Sequence, residues 1–204
     1  MPIPQPTQAS PSESRELYGG AIVTDIPISF LDASDFREVP SNQEVFVDQN
    51  TDQSIIIELL ELASDADDAE AANFHFQQLA EDNDAAESRV LSVEYLDPAT
   101  VTPSLPSTVH LSVIVGEQVV SKFREGNPNA RNLVAIYMAV LRIPHVTTDL
   151  VISYNHPVAL GQSSSSATAL RESGGHVGVP EVAMENFRNM LRRLRIVDWG
   201  LFGA

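Results

Sequence analysis

The sequence predicts an α+β protein, specifically an α/β/α sandwich in which helices cover both faces of a central, mostly antiparallel sheet. Three observations lead to this prediction. Apolar and polar residues alternate over several short segments, which is the pattern of strands. Short, hairpin-like connections separate many of these segments, so neighbouring strands should run antiparallel. Two longer stretches repeat apolar residues at helical spacing.

The N-terminal residues 1–15 contain four prolines and few large apolar side chains. Such a segment cannot bury enough apolar surface to offset the entropy lost on ordering, so we predict a disordered tail. Residues 16–204 are of a suitable length for a single domain. Within it, residues 21–26 and 44–47 are rich in β-branched and aromatic side chains and are predicted as short strands.

The stretch from 38 to 62 is acidic and aliphatic, and its second half predicts a strand over residues 54–60. Alternation of Ile55, Ile57 and Leu59 is the basis of that prediction. Glu58 and Glu61 are three residues apart, a spacing that places two side chains on one face of a helix. In a regular strand they would point to opposite sides unless a bulge re-aimed one of them. The sequence leaves the end of this segment open.

Residues 65–81 are predicted to form an amphipathic helix that begins with a solvated acidic turn. From Arg89 onward the apolar period changes to two. A turn at 116–118 is predicted to lead into a strand at 119–123, which would form a hairpin. Residues 133–143 are apolar almost throughout, which predicts a central strand covered on both faces. Residues 148–155 supply a further strand.

The segment 161–178 is rich in serine and glycine and predicts a flexible surface loop. Pro180 then suits the first position of a helix. The buried stripe of that helix is predicted at Ala183, Phe187, Met190, Leu191 and Leu194. Arginines at 192, 193 and 195 fall in its last turn, where the helix dipole favours cations.

The formal net charge is −16, and the acidic residues are unevenly distributed. Between Asp25 and Asp97 there are 19 acidic and two basic residues. This excess argues against nucleic acid as a partner and favours a basic protein surface, although acidity also serves solubility. There is no cysteine. No run of eighteen apolar residues and no secretory signal core is present, so membrane insertion is not expected.

No residue pattern points to a catalytic or cofactor site. Histidines 75, 110, 145, 156 and 176 lack metal-ligand spacing, so no metal is expected. The glycine pairs lack both the dinucleotide fingerprint and a Walker lysine. Glu58 and Glu61 could in principle act as an acid–base couple, but no neighbouring residue type would polarise them. We expect no cofactor, no catalytic residue and no enzymatic activity.

Three segments, in this order along the chain, nevertheless carry a family resemblance. They are Leu17-Tyr18-Gly19-Gly20-Ala21-Ile22, Asp32-Ala33-Ser34-Asp35-Phe36-Arg37, and the stretch from Glu38 through Gln43-Glu44-Val45 to Ser54-Ile55-Ile56 and Glu61. This pattern resembles the Ran guanine nucleotide release factor family, the Mog-type proteins of nuclear import. Weaker likeness extends the match to about residues 16–203. The segment 161–178 has no counterpart in it.

The resemblance implies a PsbP-like fold, binding to the small GTPase Ran, release of its guanine nucleotide, support of nuclear import, and a location in nucleus and cytoplasm. It also implies that Glu58 and Glu61 are the acidic pair that contacts Ran, with Asp32, Asp35, Arg37 and Glu44 as neighbours on the same surface. For Asp32 and Asp35, turn formation is an equal alternative. We expect a monomer.

Two other functions stay open from the sequence. One is a general protein adaptor, such as a scaffold in membrane-protein trafficking, without nucleotide-release activity. The other is a PsbP-like photosynthetic subunit, which the apparent lack of a transit peptide disfavours.

Overall fold

The computed structural model describes residues 8–121 and 127–203, which form two antiparallel sheets and four helices. The strands are β1 Ser12–Leu17, β2 Ile22–Pro27, β3 Leu31–Asp32, β4 Gln43–Asp48, β5 Gln53–Glu61, β6 Glu87–Leu96, β7 His110–Ser121, β8 Arg131–Ile143, β9 Thr148–Ala159 and β10 Arg195–Ile196. The helices are α1 Ala71–Asp82, α2 Pro98–Val101, α3 Ser165–Ser173 and α4 Pro180–Arg193.

The larger sheet has seven strands in the order β3-β4-β5-β9-β8-β7-β6. All of its neighbouring strands pair antiparallel. The predicted apolar strand at 133–143 lies inside β8, which is bonded on both sides by β7 and β9. A position between two strands and two covered faces explains why this segment is apolar at nearly every residue.

Helices pack on both faces of this sheet. On one face α4 and the smaller sheet β1-β2-β10 enclose a core that includes Ile55, Ile57 and Phe187. On the other face α1 packs on β6, β7 and β8, and its Phe76 is fully buried with Ile114 and Met138. This confirms the predicted α/β/α sandwich. No helix in the described part of the chain is long and apolar enough to cross a bilayer.

The predicted disordered tail at 1–15 is wrong for its second half. Residues 12–15 belong to β1, which pairs with β2 from Ser12 opposite Pro27 to Leu17 opposite Ile22. Main-chain hydrogen bonds to a neighbouring strand hold this segment, and they do not require large apolar side chains. Residues 1–7 lie outside the described part of the chain.

The predicted hairpin at 116–118 is also wrong, because β7 runs straight through these residues to Ser121. Gly116 is required for packing, since a Cβ there would lie 2.3 Å from Cζ of Phe76. The glycine therefore admits an α1 side chain against the sheet and does not mark a turn. Residues 122 and 123 of the predicted second strand are outside the described residues.

The segment 161–178 contains a helix, α3, where a loop was predicted. The side chain of Ser164 accepts a hydrogen bond from Ala167 N–H at the N-terminus, and Gly174 has a φ of 72° at the C-terminus. These are the features of an N-cap and a left-handed C-terminal glycine. Leu170 anchors the helix because its side chain is buried.

Candidate partner-binding surface

Strand β5 carries the two glutamates and lies between β4 and β9. Its pairing with β9 is continuous from Ser54 opposite Asn155 to Glu61 opposite Thr148, without a bulge. The strand therefore keeps its alternation to the end. Ile55 and Ile57 enter the core on the α4 side, whereas Leu60 packs on the α1 side.

Glu58 and Glu61 consequently point to opposite faces of the sheet. Glu58 shares the α1 side with Leu60, and Glu61 shares the α4 side with Ile57. This decides the question that the sequence left open, since no bulge re-aims either carboxylate. The two residues do not form one acidic pair on a single flat surface.

Glu58 is half-buried. Its Oε1 accepts a hydrogen bond of 2.5 Å from Nε2 of Gln43 on β4. Burial raises the pKa of Glu58 and nearby Asp82 adds to the rise, while the bond from Gln43 and the proximity of His75 oppose it. Among the described residues none forms an ion pair with this carboxylate.

Glu61 is exposed at the last position of β5. Immediately after it, Leu62 N–H donates to Thr147 O in the β8–β9 turn, at 2.9 Å. No described residue forms an ion pair with Glu61 either. Neither carboxylate is therefore neutralised by a cation within residues 8–121 and 127–203.

Asp32, Asp35 and Arg37 lie at the β3 edge of the sheet. Asp32 accepts a hydrogen bond of 2.8 Å from Ser34 N–H, at the start of a single helical turn that contains Asp35. The carboxylate of Asp32 therefore has the turn-forming role that the sequence offered as an alternative. Asp35 and Arg37 are exposed, so they are free to meet a partner.

Glu44 is engaged within the protein. Its Oε1 accepts a 2.5 Å hydrogen bond from Tyr18 N–H, and the hydroxyl of Tyr18 donates to Ile57 O at 2.8 Å and to Asn42 O at 3.0 Å. Burial, and then the charges of Glu44 and Glu58, raise the pKa of Tyr18. These contacts tie the turn after β1 to β4 and β5, and they explain the tyrosine beside the glycine pair.

The six predicted site residues do not form one cluster. Asp32 pairs with Phe46 on β4, and Phe46 pairs with Ile55 on β5. The cross-strand row that contains Asp32 is therefore six residues from the row that contains Glu61, counted along β5. At roughly 3.3 Å per residue these rows are about 20 Å apart along the strands. The structure thus spreads the predicted residues along one edge and two faces of the sheet.

A buried ionic group on β8 and β9 was not predicted from the sequence. Arg142 donates to Asp149 through Nε at 3.1 Å and Nη2 at 3.2 Å, and His75 Nε2 lies 2.9 Å from the same carboxylate. Burial alone would raise the pKa of Asp149, but the bonds from His75 and Arg142 outweigh it and lower that pKa. An arginine inside the apolar run 133–143 was the available signal.

Arg142 also shapes the chain after Glu61. Its guanidinium donates to Ala66 O at 2.6 Å and Ala63 O at 2.9 Å, and reaches Asp68 at 3.4 Å. The carbonyl of Ala66 accepts from Arg142, and the amide of Glu70, four residues later, bonds to Asp67 O instead. The helix that was predicted from residue 65 begins only at Ala71. The arginine holds the acidic connection between β5 and α1 in a fixed conformation.

No group of three or more histidine and acidic side chains in residues 8–121 and 127–203 is placed to hold a metal ion.

The model of the Ran-interacting Mog1 protein family matches residues 15–157. This chain belongs to the Mog1 family. The family resemblance of the three sequence segments is thereby confirmed.

Two relatives match this Mog1-family chain over nearly their whole length. The Ran guanine nucleotide release factor of Danio rerio is 38% identical over 93% of this chain and 100% of the relative. The nuclear import protein mog1 of Schizosaccharomyces pombe is 32% identical over 92% of this chain and 98% of the relative.

A solved crystal structure agrees with this fold. The crystal structure of the Saccharomyces cerevisiae Ran-binding protein Mog1p matches with a TM-score of 0.67 and 29% identity, over 95% of this chain and 100% of that chain. A solution structure of PsbP from Synechocystis gives a TM-score of 0.45 and 9% identity, over 85% of this chain and 92% of that chain.

Proposed function

We propose that this Mog1-family protein binds the small GTPase Ran, promotes release of its guanine nucleotide and supports nuclear protein import. The observation that carries the proposal is the family match over residues 15–157, together with the Danio rerio relative named as a Ran guanine nucleotide release factor. A location in nucleus and cytoplasm follows from this role.

The charges of the chain support a basic partner. Glu58 and Glu61 have no cation among the described residues, and the segment from Asp25 to Asp97 has 19 acidic against two basic residues. An anionic surface attracts a basic surface over several ångströms and raises the rate of encounter. We assign the contact to Glu58 and Glu61, with the exposed Asp35 and Arg37 at its border.

Nucleotide release needs no catalytic group on this chain. A protein that binds empty Ran more tightly than nucleotide-bound Ran weakens nucleotide binding by the same factor, because the two equilibria are linked. A tenfold effect requires about 1.4 kcal/mol of coupling. The protein therefore acts as a binding partner that displaces a ligand and hydrolyses no GTP itself. We propose that it does so as a monomer and without a cofactor.

Stopped-flow fluorescence tests this function. Ran loaded with a fluorescent GTP analogue is mixed with the protein and excess unlabelled nucleotide. We expect the release rate to rise with protein concentration and to saturate. The excess rate should disappear in the double variant Glu58→Lys/Glu61→Lys, in which the carboxylates are replaced by repelling cations.

The same measurement separates a release factor from an adaptor. If a complex with Ran forms while the nucleotide leaves at its spontaneous rate, the protein is an adaptor that binds Ran without displacing nucleotide. If purified Ran in its GTP, GDP and empty states fails to bind at all, the proposed function is wrong.

A further inference from the structure

Helix α3 and the chain that follows it border an open cleft, which we call the α3 cleft. It has a volume of about 530 Å³. This volume lies within the range of about 300–1,000 Å³ that is usual for small-molecule sites. The residues that line it include Leu160, Ala167, Leu170, Arg171, His176 and Val177. All of them lie beyond the residues 15–157 that the family model matches.

Contacts within the fold hold the walls of the α3 cleft in place. His176 N–H donates to Asn50 O in the turn between β4 and β5 at 2.9 Å, and Gly175 N–H donates to Leu170 O at 2.8 Å. A Cβ at Gly175 would lie 2.4 Å from Asn50 O and 2.7 Å from Leu170 Cδ2. Only a glycine lets the chain pass this close to α3, so the cleft is a preformed part of the structure.

Apolar side chains supply much of the lining. Leu160 and Ala167 are half-buried, Leu170 is buried, and Val177 is 37% exposed. An aliphatic group that enters the cleft would remove this apolar surface from water, and its own surface with it, which favours binding. The lining therefore suits a ligand with an aliphatic body.

Arg171 adds a fixed positive charge to this apolar lining. Its Nε donates to Ala167 O at 3.0 Å, and its Nη2 donates to Thr168 Oγ1 at 3.2 Å. These bonds hold the guanidinium against α3, and its remaining N–H groups can donate to a ligand. In residues 8–121 and 127–203 no carboxylate forms an ion pair with Arg171. The exposed ring of His176 borders the same cleft.

The charge of the whole protein restricts the kind of anion. With a formal net charge of −16, the chain repels nucleic acid, anionic bilayers and other polyanions. A ligand with a single negative charge is repelled least, and it can be neutralised by one arginine. The chemistry that fits the cleft is thus one anionic head group on an aliphatic body.

We propose that the α3 cleft binds a small aliphatic monocarboxylate, with the carboxylate on the guanidinium of Arg171 and the aliphatic chain against Leu160 and Val177. The planar guanidinium carries several N–H donors in a fork that matches the two oxygens of a carboxylate. This inference goes beyond the proposed function and does not depend on it.

The α3 cleft is distant from the surface assigned to Ran. Asn50, which binds His176 N–H, precedes β5, whereas Glu61 is the last residue of that strand. From Gln53 to Glu61 the strand rises by about 26 Å, at roughly 3.3 Å per residue. A monocarboxylate in the cleft would therefore leave Glu61 accessible.

Nuclear magnetic resonance of the ¹⁵N-labelled full-length protein tests the site with octanoate as the probe. We expect the amide signals of Arg171, Gly175 and Val177 to shift and to saturate, while those of β6, at the far edge of the sheet, stay in place. Octan-1-ol lacks the carboxylate and acetate lacks the aliphatic chain. Each should bind about tenfold more weakly than octanoate, or weaker still, because it makes only one of the two contacts.

Two variants test the residues of the cleft. Arg171→Gln should weaken octanoate binding by about tenfold or more, because the charge-assisted hydrogen bonds are lost. Val177→Asp should weaken it similarly, because a second carboxylate then faces the ligand. Arg192→Gln is the matched control, since Arg192 is an exposed arginine of α4 that pairs with Glu185 at 3.6 Å, and it should leave the affinity unchanged.

Each outcome decides the proposal. Octanoate that shifts no amide signal of the α3 cleft would overturn the site. Octan-1-ol that binds as tightly as octanoate, or equal losses in Arg171→Gln and Arg192→Gln, would overturn the assignment of the carboxylate to Arg171. Localised shifts together with selective losses in Arg171→Gln and Val177→Asp support it. Ran takes no part in these measurements, so failure of the cleft leaves the proposed function standing, and failure of Ran binding leaves the cleft standing.

Discussion

Arg142 and Asp149 face each other across β8 and β9 and are joined by two hydrogen bonds, from Nε at 3.1 Å and from Nη2 at 3.2 Å. Both side chains are buried, at 5% and 0% exposure. Arg142 also binds the carbonyls of Ala63 and Ala66, so one guanidinium joins two sheet strands to the acidic connection that follows Glu61.

Removing one partner of this pair should destabilise the fold. Asp149→Asn removes the buried counter-charge of Arg142 and leaves only the half-exposed Asp68 at 3.4 Å, and the expected loss in unfolding free energy is about 3–5 kcal/mol. Urea denaturation followed by circular dichroism measures it. The control is Glu117→Gln, which breaks the ion pair of Glu117 with the 70% exposed Arg89 and should cost about 1 kcal/mol or less. An equal loss in both variants would contradict a stabilising role for the buried pair.

Stability should fall on mild acidification because of His156. The ring is fully buried and its Nδ1 lies 3.1 Å from Gln53 Nε2, and burial lowers the pKa of His156, with Glu181 opposing in part. The unfolded state, with an ordinary pKa of about 6.5, then binds the proton more tightly, so stability is full above that pH and is lost as pH drops toward the folded-state pKa.

The measurement for His156 is the unfolding free energy between pH 8 and pH 5, as approximate limits around that pKa. His156→Gln carries no titrating group, so its profile should be flatter than that of the unmodified protein. Parallel profiles would show that the histidine titrates alike in both states, which is incompatible with the burial seen here. His176→Gln serves as a control because the side chain of His176 is exposed.

Glu58→Gln should separate stability from binding. The raised pKa of Glu58 means that its ionised form is disfavoured in the folded protein, so stability should increase as pH falls through that pKa. A glutamine in its place can still accept the bond from Gln43, and the unfolding midpoint at neutral pH should be unchanged or slightly higher. Ran binding should weaken, because the cation of Ran loses its partner. A variant that unfolds more easily would make Glu58 a structural residue.

Single charge reversals should have unequal effects on the complex. Glu58→Lys lies on the α1 side of the sheet and should weaken Ran binding by about a hundredfold or more, whereas Glu61→Lys should weaken it less, because Glu61 points to the α4 side. Isothermal titration calorimetry with purified Ran compares the two. Equal losses would indicate an interface that wraps around the end of β5 and would contradict a contact confined to the α1 side of the sheet.

Association with Ran should slow as salt rises. Steering of the encounter by the acidic surface predicts that the association rate falls over the range in which the screening length shortens from about 30 to about 8 Å, while the dissociation rate changes little. Stopped-flow association at several ionic strengths measures it. A rate independent of salt would restrict the role of the 19 acidic residues between Asp25 and Asp97 to solubility.

Local sequence determined the elements whose side chains follow a single period. The strand at β8 and the helix from Pro180 were predicted correctly, because burial on two faces or on one stripe leaves a short-range pattern that a window of residues records. The family resemblance could likewise be recognised in contiguous segments of the sequence. One of these segments contains Tyr18, Gly19 and Gly20, which have positive φ angles and form one compact turn.

Only the tertiary structure decided features that depend on contacts distant in sequence. Gly116 has the composition of a turn, yet it lies inside β7 because Phe76, forty residues earlier, occupies the space of its missing Cβ. Residues 12–15 lack apolar side chains, yet they form a strand because β2 offers them a main-chain partner.

The candidate site shows the same division. The family resemblance of the sequence pointed to Glu58 and Glu61, but the face that each occupies depends on whether β5 stays regular up to its last residue. Pairing with β9 keeps it regular up to Glu61, opposite Thr148. The two carboxylates are therefore separated by the sheet, because main-chain hydrogen bonds to a strand far along the chain set the direction of their backbone.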